Sequence, residues 1–168
     1  MTAGHDVATR GAVGEAVDVL LVCSSGGHLL QLVSLREAWD GLSRAWVTFD
    51  KSDAHALLRA ERGVLAHGPT NRNLVNLVRN LGLAWRVVSR LRPAVILTTG
   101  AGVAVPFAWI GRLRGARVVY VESFTRIDSV SLSCRMIAPV ADQIYVQWPE
   151  MLGRIPRARY SGNVFFDA

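Results

Sequence analysis

Short apolar runs alternate with longer amphipathic segments along most of this chain. The apolar runs are rich in Val, Ile and Leu, which is typical of strands buried on both faces of a sheet. They fall at residues 17–23, 45–49, 63–66, 94–99, 117–121 and 143–147. Helical periodicity lies between them, near residues 28–40, 52–61, 72–91, 103–114 and 130–140. This alternation predicts βαβ units with right-handed crossovers, and therefore a Rossmann-like parallel sheet with helices on both faces.

The chain shows no internal repeat, low-complexity tract or linker. We therefore expect one domain over residues 17–168, preceded by a flexible arm at residues 1–16. The arm is polar and lacks the apolar core of a signal peptide, and no stretch reaches the roughly 18 apolar residues of a spanning helix. Hydrophobic residues nevertheless make up 51% of the chain, and its mean hydropathy is +0.26. We expect part of this apolar surface to contact a partner or a bilayer.

Three loops are candidates for a ligand site. In an open parallel sheet, ligands bind beyond the carboxyl ends of the strands, where the strand order reverses. If the first and fourth strands are neighbours, the loops that meet there contain Ser24, Ser25, Gly26, Gly27 and His28, then Gly100, Ala101 and Gly102, and finally Glu122. Glycines let the backbone approach a ligand, and a helix start presents free N–H groups and a positive dipole end. This edge of the sheet predicts a phosphate or diphosphate site.

Two of these residues are candidates for catalysis. His28 lies in the first turn of a predicted helix, where the positive helix end favours a neutral ring that can accept a proton. The alternative is a histidine that only caps the turn or bonds the loop. Glu122 is costly to bury unpaired, so it could bind a sugar hydroxyl, act as a base or pair with Arg126. The Cys, His and Asp residues have no metal-ligand spacing, and we expect neither a metal nor a cofactor.

A dinucleotide site is an alternative interpretation of the second loop. Gly100 and Gly102, with Glu122 twenty residues beyond Gly102, imitate a dinucleotide-binding fingerprint. The third glycine position of that motif is occupied by Val105, which argues against NAD binding. A self-contained nucleotide-binding enzyme remains a hypothesis, and it predicts that this chain alone binds a nucleotide sugar or NAD.

The formal net charge is +6, and eighteen arginines but only one lysine contribute to it. The predicted helix at residues 72–91 carries four arginines on one face: Arg72, Arg79, Arg86 and Arg90. Its opposite face is expected to pack on the sheet and contains Leu74, Leu77, Val78, Leu81, Trp85 and Val88, whereas Leu83 and Val87 are expected beside the arginines. An arginine face with nearby apolar groups is typical of proteins at anionic membrane surfaces, although it is also compatible with simple solvation. No nucleic-acid motif accompanies the charge, so we expect no nucleic-acid partner.

Six motifs occur in order along the chain: SSGGH, FDKSDAHALL, PTNRN, TTGAGVAVPF, VYVESFTRIDSVSLS and VQWPEML. Together they resemble the PssD-type exopolysaccharide glycosyltransferase subunits of bacteria. They also resemble the membrane-anchoring subunit of the split UDP-N-acetylglucosamine transferase of dolichol-linked glycan synthesis. The resemblance covers about residues 17–165. It implies the N-terminal, acceptor-side half of a GT-B glycosyltransferase, similar to the N-terminal half of MurG.

The resemblance also implies a division of labour between two chains. This chain would bind a sugar acceptor linked to a lipid diphosphate, and a separate catalytic subunit would bind the UDP-sugar and complete an inverting transferase. This division agrees with the length, because the chain ends before the second domain of a GT-B enzyme. The acceptor diphosphate would lie on residues 24–28 and 100–102, with His28 as the base for the acceptor hydroxyl. Glu122 matches the family's VES segment without an assigned role. The alternative is a non-catalytic scaffold that recruits and stabilises the catalytic partner.

Membrane and partner contacts follow from the same resemblance. The eukaryotic anchor subunit begins with a membrane-spanning helix, which residues 1–16 cannot form. We therefore expect peripheral attachment to the cytoplasmic face of the plasma membrane, through the arginine face or through the partner. Val164, Phe165 and Phe166 lie where the family's partner contacts lie, and apolar residues of this kind favour docking.

Overall fold

The computed structural model describes residues 16–70 and 73–166, and its described strands form one parallel sheet. The strands are β1 (Val19–Val22), β2 (Arg44–Phe49), β3 (Gly63–Ala66), β4 (Val95–Thr98), β5 (Arg117–Val121), β6 (Gln143–Val146) and β7 (Ala158–Tyr160). Their order across the sheet is β3-β2-β1-β4-β5-β6-β7. The six predicted strands are confirmed. Sequence analysis missed β7, which is three residues long and carries no apolar run.

Five α-helices connect the strands, as the periodicity predicts. They are α1 (Gly27–Ser34), α2 (Ser52–Leu58), α3 (Leu74–Leu91), α4 (Ala104–Leu113) and α5 (Leu132–Ile137), with 3-10 turns at Arg36–Ala38 and Pro149–Met151. Side-chain caps fix two of the helix starts. Asn73 accepts a hydrogen bond from the N–H of Asn76, and Ser131 accepts one from the N–H of Cys134. The predicted arm lies outside the described residues, except for residue 16.

The strand order reverses at β1, which pairs with β2 on one side and β4 on the other. Val22, the last residue of β1, lies opposite Thr98, the last residue of β4, so these two strands end at the same level. On the other side Val22 lies opposite Val47, and β2 continues to Phe49. The first and fourth strands are therefore neighbours, which is the condition for the candidate loops to meet. The loops after β1 and β4 leave the sheet side by side and in opposite layers, which opens a crevice between them.

Two apolar layers cover the sheet because successive side chains of a strand point to opposite faces. Leu20 and Val22 of β1 pack with buried residues of α3, α4 and α5. Val19 and Leu21 pack on the other side with α1 and α2. The whole of β1 is buried, as the uninterrupted apolar run predicts.

The orientation predicted for α3 is wrong for Leu74, Val78, Leu81 and Trp85, which are exposed, and right for Val88, which is buried. The buried residues of α3 are Asn76, Asn80, Ala84, Val87, Val88 and Leu91. The leucine-rich side instead faces outward, so that Leu74 is 75% exposed and Val78 is 68% exposed. Hydrogen bonds of two asparagines account for this orientation. The Asn80 side chain accepts from the N–H of His67 and donates to its carbonyl, and the Asn76 side chain donates to the carbonyl of Pro69. These amides turn toward the loop after β3, and the apolar residues are left outside.

Candidate functional site

His28 lies in the first turn of α1 and is bonded to the loop that follows β4. Its Nδ1 lies 2.8 Å from the carbonyl oxygen of Thr99, and the Thr99 hydroxyl donates to the carbonyl of His28 at 2.8 Å. Because a carbonyl oxygen only accepts, Nδ1 carries the proton of the neutral ring. The lone pair of the ring is therefore on Nε2, which no hydrogen bond occupies within residues 16–70 and 73–166. This ring nitrogen can accept a proton from a bound substrate.

The environment keeps the His28 ring neutral. Burial lowers the pKa of His28 below its ordinary value of 6.5, and the nearby Arg126 guanidinium lowers it further. The hydrogen bond to Thr99 and the charge of Glu122 act in the opposite direction, and burial dominates. The direction of this shift agrees with the neutral imidazole that the sequence predicts. Its largest cause is desolvation, whereas the sequence argument relied on the helix dipole.

His28 borders an open cleft of about 1070 Å³ at the carboxyl ends of the central strands. Charged and polar side chains line the cleft, among them Ser24, His28, Asp50, Lys51, Ser123, Thr125 and Arg126. Apolar side chains line it as well, among them Leu74, Leu77, Val105, Leu132 and Met136. Ala101 and Gly102 also line it. A single cavity with these two linings fits a ligand that has a charged head and an apolar tail.

The glycine turn before α1 is partly occupied by the protein itself. The N–H of Gly26 donates to Oδ2 of Asp53, with 2.6 Å between nitrogen and oxygen. Ser25, Gly26 and Gly27 do not border the cleft, whereas Ser24 and His28 do. A carboxylate thus takes the place that the sequence argument gave to a phosphate at Gly26. Within this turn, the residues that can face a ligand in the cleft are therefore Ser24 and His28.

The second glycine loop packs tightly against its neighbours. Gly100 has a φ of +102°, and a Cβ there would lie 2.8 Å from the hydroxyl of Tyr120. A Cβ on Gly102 would lie 2.8 Å from Oγ1 of Thr70. Between them, Ala101 has a φ of +74°, which is uncommon and costly for a residue with a side chain. The loop is held in one conformation, which brings Ala101 and Gly102 to the cleft.

Glu122 lies beneath the cleft and does not line it. Its side chain is 1% exposed and accepts hydrogen bonds from both the N–H and the hydroxyl of Ser131 at 3.0 Å, and from the N–H of Ser123 at 2.8 Å. The Tyr120 hydroxyl donates to the same carboxylate at 3.1 Å. These donors replace the ion pair with Arg126 that sequence analysis considered. With its oxygens bonded in this way, Glu122 has no free acceptor for the ribose of a dinucleotide.

Gln31 connects α1 to the loop that follows β5. It is buried, and its side-chain amide donates to the carbonyl of Glu122 and accepts from the N–H of Phe124. The indole of Trp148 donates to the carbonyl of Phe124 at 2.7 Å. The backbone of this loop is therefore fixed on both sides. Sequence analysis missed Gln31, and its only signal is a polar residue on the inward side of a short apolar helix.

An aromatic cluster of Phe124, Trp148, Phe165 and Phe166 lies beside this loop. The ring centroid of Phe124 is 5.2 Å from that of Trp148, 5.1 Å from that of Phe165 and 5.7 Å from that of Phe166. Phe166 is 73% exposed, although it is a large apolar residue. The N–H of Val164 donates to Oε1 of Gln147, which anchors the tail to the end of β6. The three predicted partner residues thus lie together at the carboxyl edge of the sheet.

A second exposed surface, the apolar face, covers the outside of three helices. It consists of Leu74, Val75, Val78, Leu81 and Trp85 of α3, Trp109 and Leu113 of α4, and Leu132 and Met136 of α5. The Arg114 guanidinium lies over the Trp85 ring, and the Trp109 indole donates to the carbonyl of Met136, so the three helices are linked. Leu74, Leu132 and Met136 also line the cleft. The apolar face therefore continues into the cleft.

The predicted arginine face lies only partly within the described structure. Arg79, Arg86 and Arg90 are exposed along α3, whereas Arg72 lies outside the described residues. Val87, which was expected beside the arginines, is buried, and Leu83 packs against the core. The exposed arginines therefore share the outside of α3 with the leucine-rich side.

Within residues 16–70 and 73–166, no three His, Cys, Asp or Glu side chains cluster closely enough to hold a metal ion. Over the same ranges, none of the helices has the length and apolar character needed to cross a bilayer.

The fold defines a class of protein. It is the Rossmann-like fold of the N-terminal half of GT-B glycosyltransferases such as MurG, as the resemblance implies. The family described as "Oligosaccharide biosynthesis protein Alg14 like" matches residues 19–164, and this chain belongs to that family. The resemblance to the split transferase subunit is thereby confirmed, whereas the exopolysaccharide assignment stays a prediction.

Individual relatives agree with this placement. The UDP-N-acetylglucosamine transferase subunit ALG14 of Eremothecium gossypii is 32% identical over 183 residues, which cover 90% of this chain and 82% of that protein. The human subunit of the same name is 23% identical over 89% of this chain and 84% of its own.

Among solved structures, MurG of Acinetobacter baumannii superposes with a TM-score of 0.70 at 14% identity, over 87% of this chain and 45% of its own. A UDP-N-acetylglucosamine 2-epimerase of Rickettsia bellii gives a TM-score of 0.67 at 12% identity, over 90% of this chain and 45% of its own. The chain thus spans less than half the length of these structures. At such identities the likeness shows the fold.

Proposed function

We propose that this chain is the acceptor-binding and membrane-recruiting subunit of a two-chain inverting glycosyltransferase. The observation that carries the proposal is the cleft, whose polar lining residues include His28 and whose apolar lining residues Leu74, Leu132 and Met136 also belong to the apolar face. Such a cleft suits a sugar linked to a lipid through a diphosphate. The relatives' name, UDP-N-acetylglucosamine transferase subunit, supports a UDP-sugar as donor and makes the chain part of an enzyme.

His28 is the proposed base of this reaction. Nδ1 is committed to the Thr99 carbonyl, so Nε2 takes the proton of the acceptor hydroxyl. The oxygen attacks the anomeric carbon of the donor sugar, the bond from that carbon to the UDP oxygen breaks, and the electron pair leaves with UDP. Direct displacement of this kind inverts the anomeric carbon. Glu122 acts through the loop: its bonds to Ser123 and Ser131 hold polar residues that line the cleft.

The donor site is proposed to come from a partner chain with the second half of a GT-B enzyme. The aromatic cluster, which includes two of the predicted partner residues, Phe165 and Phe166, is the proposed docking surface. Its position supports this role, because it adjoins the loop that carries the polar lining of the cleft. A partner seated there would cover the exposed Phe166 side chain and close the cleft.

The apolar face is proposed to contact an anionic membrane surface peripherally. Leucines and tryptophans would enter the interface, and Arg79 and Arg86 would meet acidic head groups. Continuity with the cleft supports this arrangement, because a lipid-linked acceptor could enter from the bilayer without crossing water. We place the reaction at the cytoplasmic face of the plasma membrane, in synthesis of a bacterial exopolysaccharide. The PssD-like motifs support this setting.

Reconstitution tests the proposal. The chain is co-expressed with the product of a neighbouring gene that has a GT-B C-terminal pattern, and transfer of labelled sugar from UDP-N-acetylglucosamine to a polyprenyl diphosphate sugar is measured. We expect transfer only when both chains are present, and His28→Gln should slow it about 10²–10⁴-fold while co-purification persists. If His28→Gln left turnover intact, the chain would be a non-catalytic scaffold for its partner. Tight binding of UDP-sugar or NAD by this chain alone would favour a self-contained nucleotide enzyme.

A further inference from the structure

Two cationic side chains flank the crevice where the strand order reverses. Arg126 follows β5 on one side, and Lys51 follows β2 on the other. Both line the cleft that contains His28. Sequence analysis considered Arg126 only as an ion-pair partner for Glu122. The hydrogen bonds of Glu122 to Ser123, Ser131 and Tyr120 leave Arg126 to another partner.

The backbone of Arg126 is fixed, but its side chain is not engaged by an acid. The N–H of Arg126 donates to the carbonyl of Ser123 at 2.9 Å, within a loop held by Glu122 and Gln31. Its guanidinium makes one long hydrogen bond, 3.4 Å to Oγ of Ser129. Neither Asp128 nor any other acid of residues 16–70 and 73–166 forms an ion pair with it. A guanidinium presented in this way is available to an anionic ligand.

Two acids on the Lys51 side already have partners. Asp53 accepts the N–H of Gly26 at 2.6 Å, and Asp50, which lines the cleft, lies 2.6 Å from Nε2 of His55. The Asp53 carboxylate places negative charge at the glycine turn, so a second anion is repelled from that end of α1. The favourable place for an anion is therefore on the side of the crevice near Arg126. The lowering of the His28 pKa by Arg126 agrees with a guanidinium close to the imidazole.

We propose that the guanidinium of Arg126, with Lys51 across the crevice, binds the diphosphate of the lipid-linked acceptor. This inference rests on the proposed acceptor role of the chain. A planar guanidinium can donate two parallel hydrogen bonds to phosphate oxygens, while an ammonium contributes a single charge. The lipid would run from the diphosphate over Leu74 and Leu132 to the apolar face. The sugar would lie toward Nε2 of His28.

Binding of farnesyl diphosphate, farnesyl monophosphate and farnesol to the full chain tests the proposal by titration calorimetry. We expect the diphosphate to bind more tightly than the monophosphate, and Arg126→Gln to weaken its binding about tenfold or more. Arg126→Lys, which keeps the charge but loses the fork, should be intermediate. Arg59→Gln removes the same charge from an exposed position at the end of α2, outside the cleft, and should bind like the unsubstituted chain.

The outcomes separate this inference from the proposed function. If the unsubstituted chain preferred the diphosphate and Arg126→Gln bound it equally well, Arg126 would not be its ligand, and the acceptor role would stand. Equal weakening by Arg59→Gln would reduce the effect to net charge and would also overturn the assignment. If the unsubstituted chain bound none of the three probes, the acceptor role and this inference would fail together.

Discussion

Gln31 forms a direct bond between the helix of the candidate base and the loop of Phe124. Its Oε1 accepts from the N–H of Phe124 at 3.0 Å, and its Nε2 donates to the preceding carbonyl of Glu122 at 2.9 Å. Gln31 lies one turn after His28 on α1, and Phe124 is the centre of the aromatic cluster. One buried amide thus fixes the distance between the candidate base and the proposed partner surface.

Replacement of Gln31 should lower both the free energy of unfolding and the rate of sugar transfer. Gln31→Met keeps the volume but leaves the Phe124 N–H and the Glu122 carbonyl without their partner, which costs about 1–3 kcal/mol of unfolding free energy. Urea denaturation of the isolated chain measures this cost. Ser34→Ala, which removes an exposed hydroxyl from the same helix, is the control and should change stability little. Equal stability of Gln31→Met and the unsubstituted chain would show that the bond is dispensable.

The pH dependence of transfer should report the lowered pKa of His28. Because burial lowers this pKa, the acid limb of kcat/KM should have its midpoint below 6.5. The limb of kcat should lie at higher pH, because a bound diphosphate favours the imidazolium. His28→Gln should lower kcat by about 10²–10⁴-fold and remove the limb. Identical pH profiles for the two parameters would argue against a phosphate beside the ring.

The lowered pKa of His28 also makes the stability of the folded chain depend on pH. The unfolded chain binds a proton at His28 near pH 6.5, where the folded chain does not, so the folded state loses stability as the pH falls below that value. His28→Gln should flatten this part of the stability profile. Urea midpoints of the two chains between pH 7 and about pH 5 measure the difference. If the two profiles ran parallel, the ring would not be buried in its neutral form.

Glu122→Gln should lower the stability of the fold, and its loss of activity should result from that lower stability. An amide keeps one acceptor oxygen, so some of the N–H and hydroxyl donors of Ser123, Ser131 and Tyr120 lose their partner, at a cost of about 1–3 kcal/mol. We expect a lower thermal midpoint and a loss of activity that is largely restored at low temperature. A folded Glu122→Gln chain of normal stability with no turnover would instead identify Glu122 as a catalytic group.

Membrane binding should depend on both the apolar and the basic parts of the outer surface. Leu81→Asp should reduce sedimentation with vesicles that contain acidic lipid, because a charge replaces an inserted side chain. Arg79→Gln should weaken binding about fivefold, in line with roughly 1 kcal/mol per basic residue, and its effect should fade at high salt. Leu42→Asp, at an exposed leucine before β2, is the control. Equal binding of all chains to neutral vesicles would contradict the proposal.

Most of the sheet and the position of the cleft follow from the sequence, because apolar periodicity is a local signal. The six strands of the apolar runs are of this kind, whereas the pairing of β1 with β4 is a long-range contact. The rotation of α3 is different. It depends on Asn76 and Asn80, whose amides satisfy backbone groups near residues 67–69, and a single sequence gives no sign of those partners. The hydrophobic pattern of α3 predicts that its leucine-rich side faces the core, but this side lies on the outside of the protein.

The candidate site was only partly predictable for a similar reason. Glycines and a histidine after apolar strands mark the edge where ligands bind. What the sequence could not specify is which groups are already used. Asp53 occupies the N–H of Gly26, and Ser131 engages the carboxylate of Glu122, over separations of 27 and 9 residues. Of the turn before α1, Ser24 and His28 line the cleft, whereas Ser25, Gly26 and Gly27 do not.

The atom that orients His28 belongs to the main chain. In many catalytic histidines a carboxylate holds the second nitrogen, and mutation can remove it; here the Thr99 carbonyl remains whatever side chain stands at position 99. The tautomer of the His28 ring is consequently encoded by the path of the backbone after β4 rather than by a second side chain. A substitution at position 99 that keeps this backbone path would therefore leave the orientation of the proposed base intact.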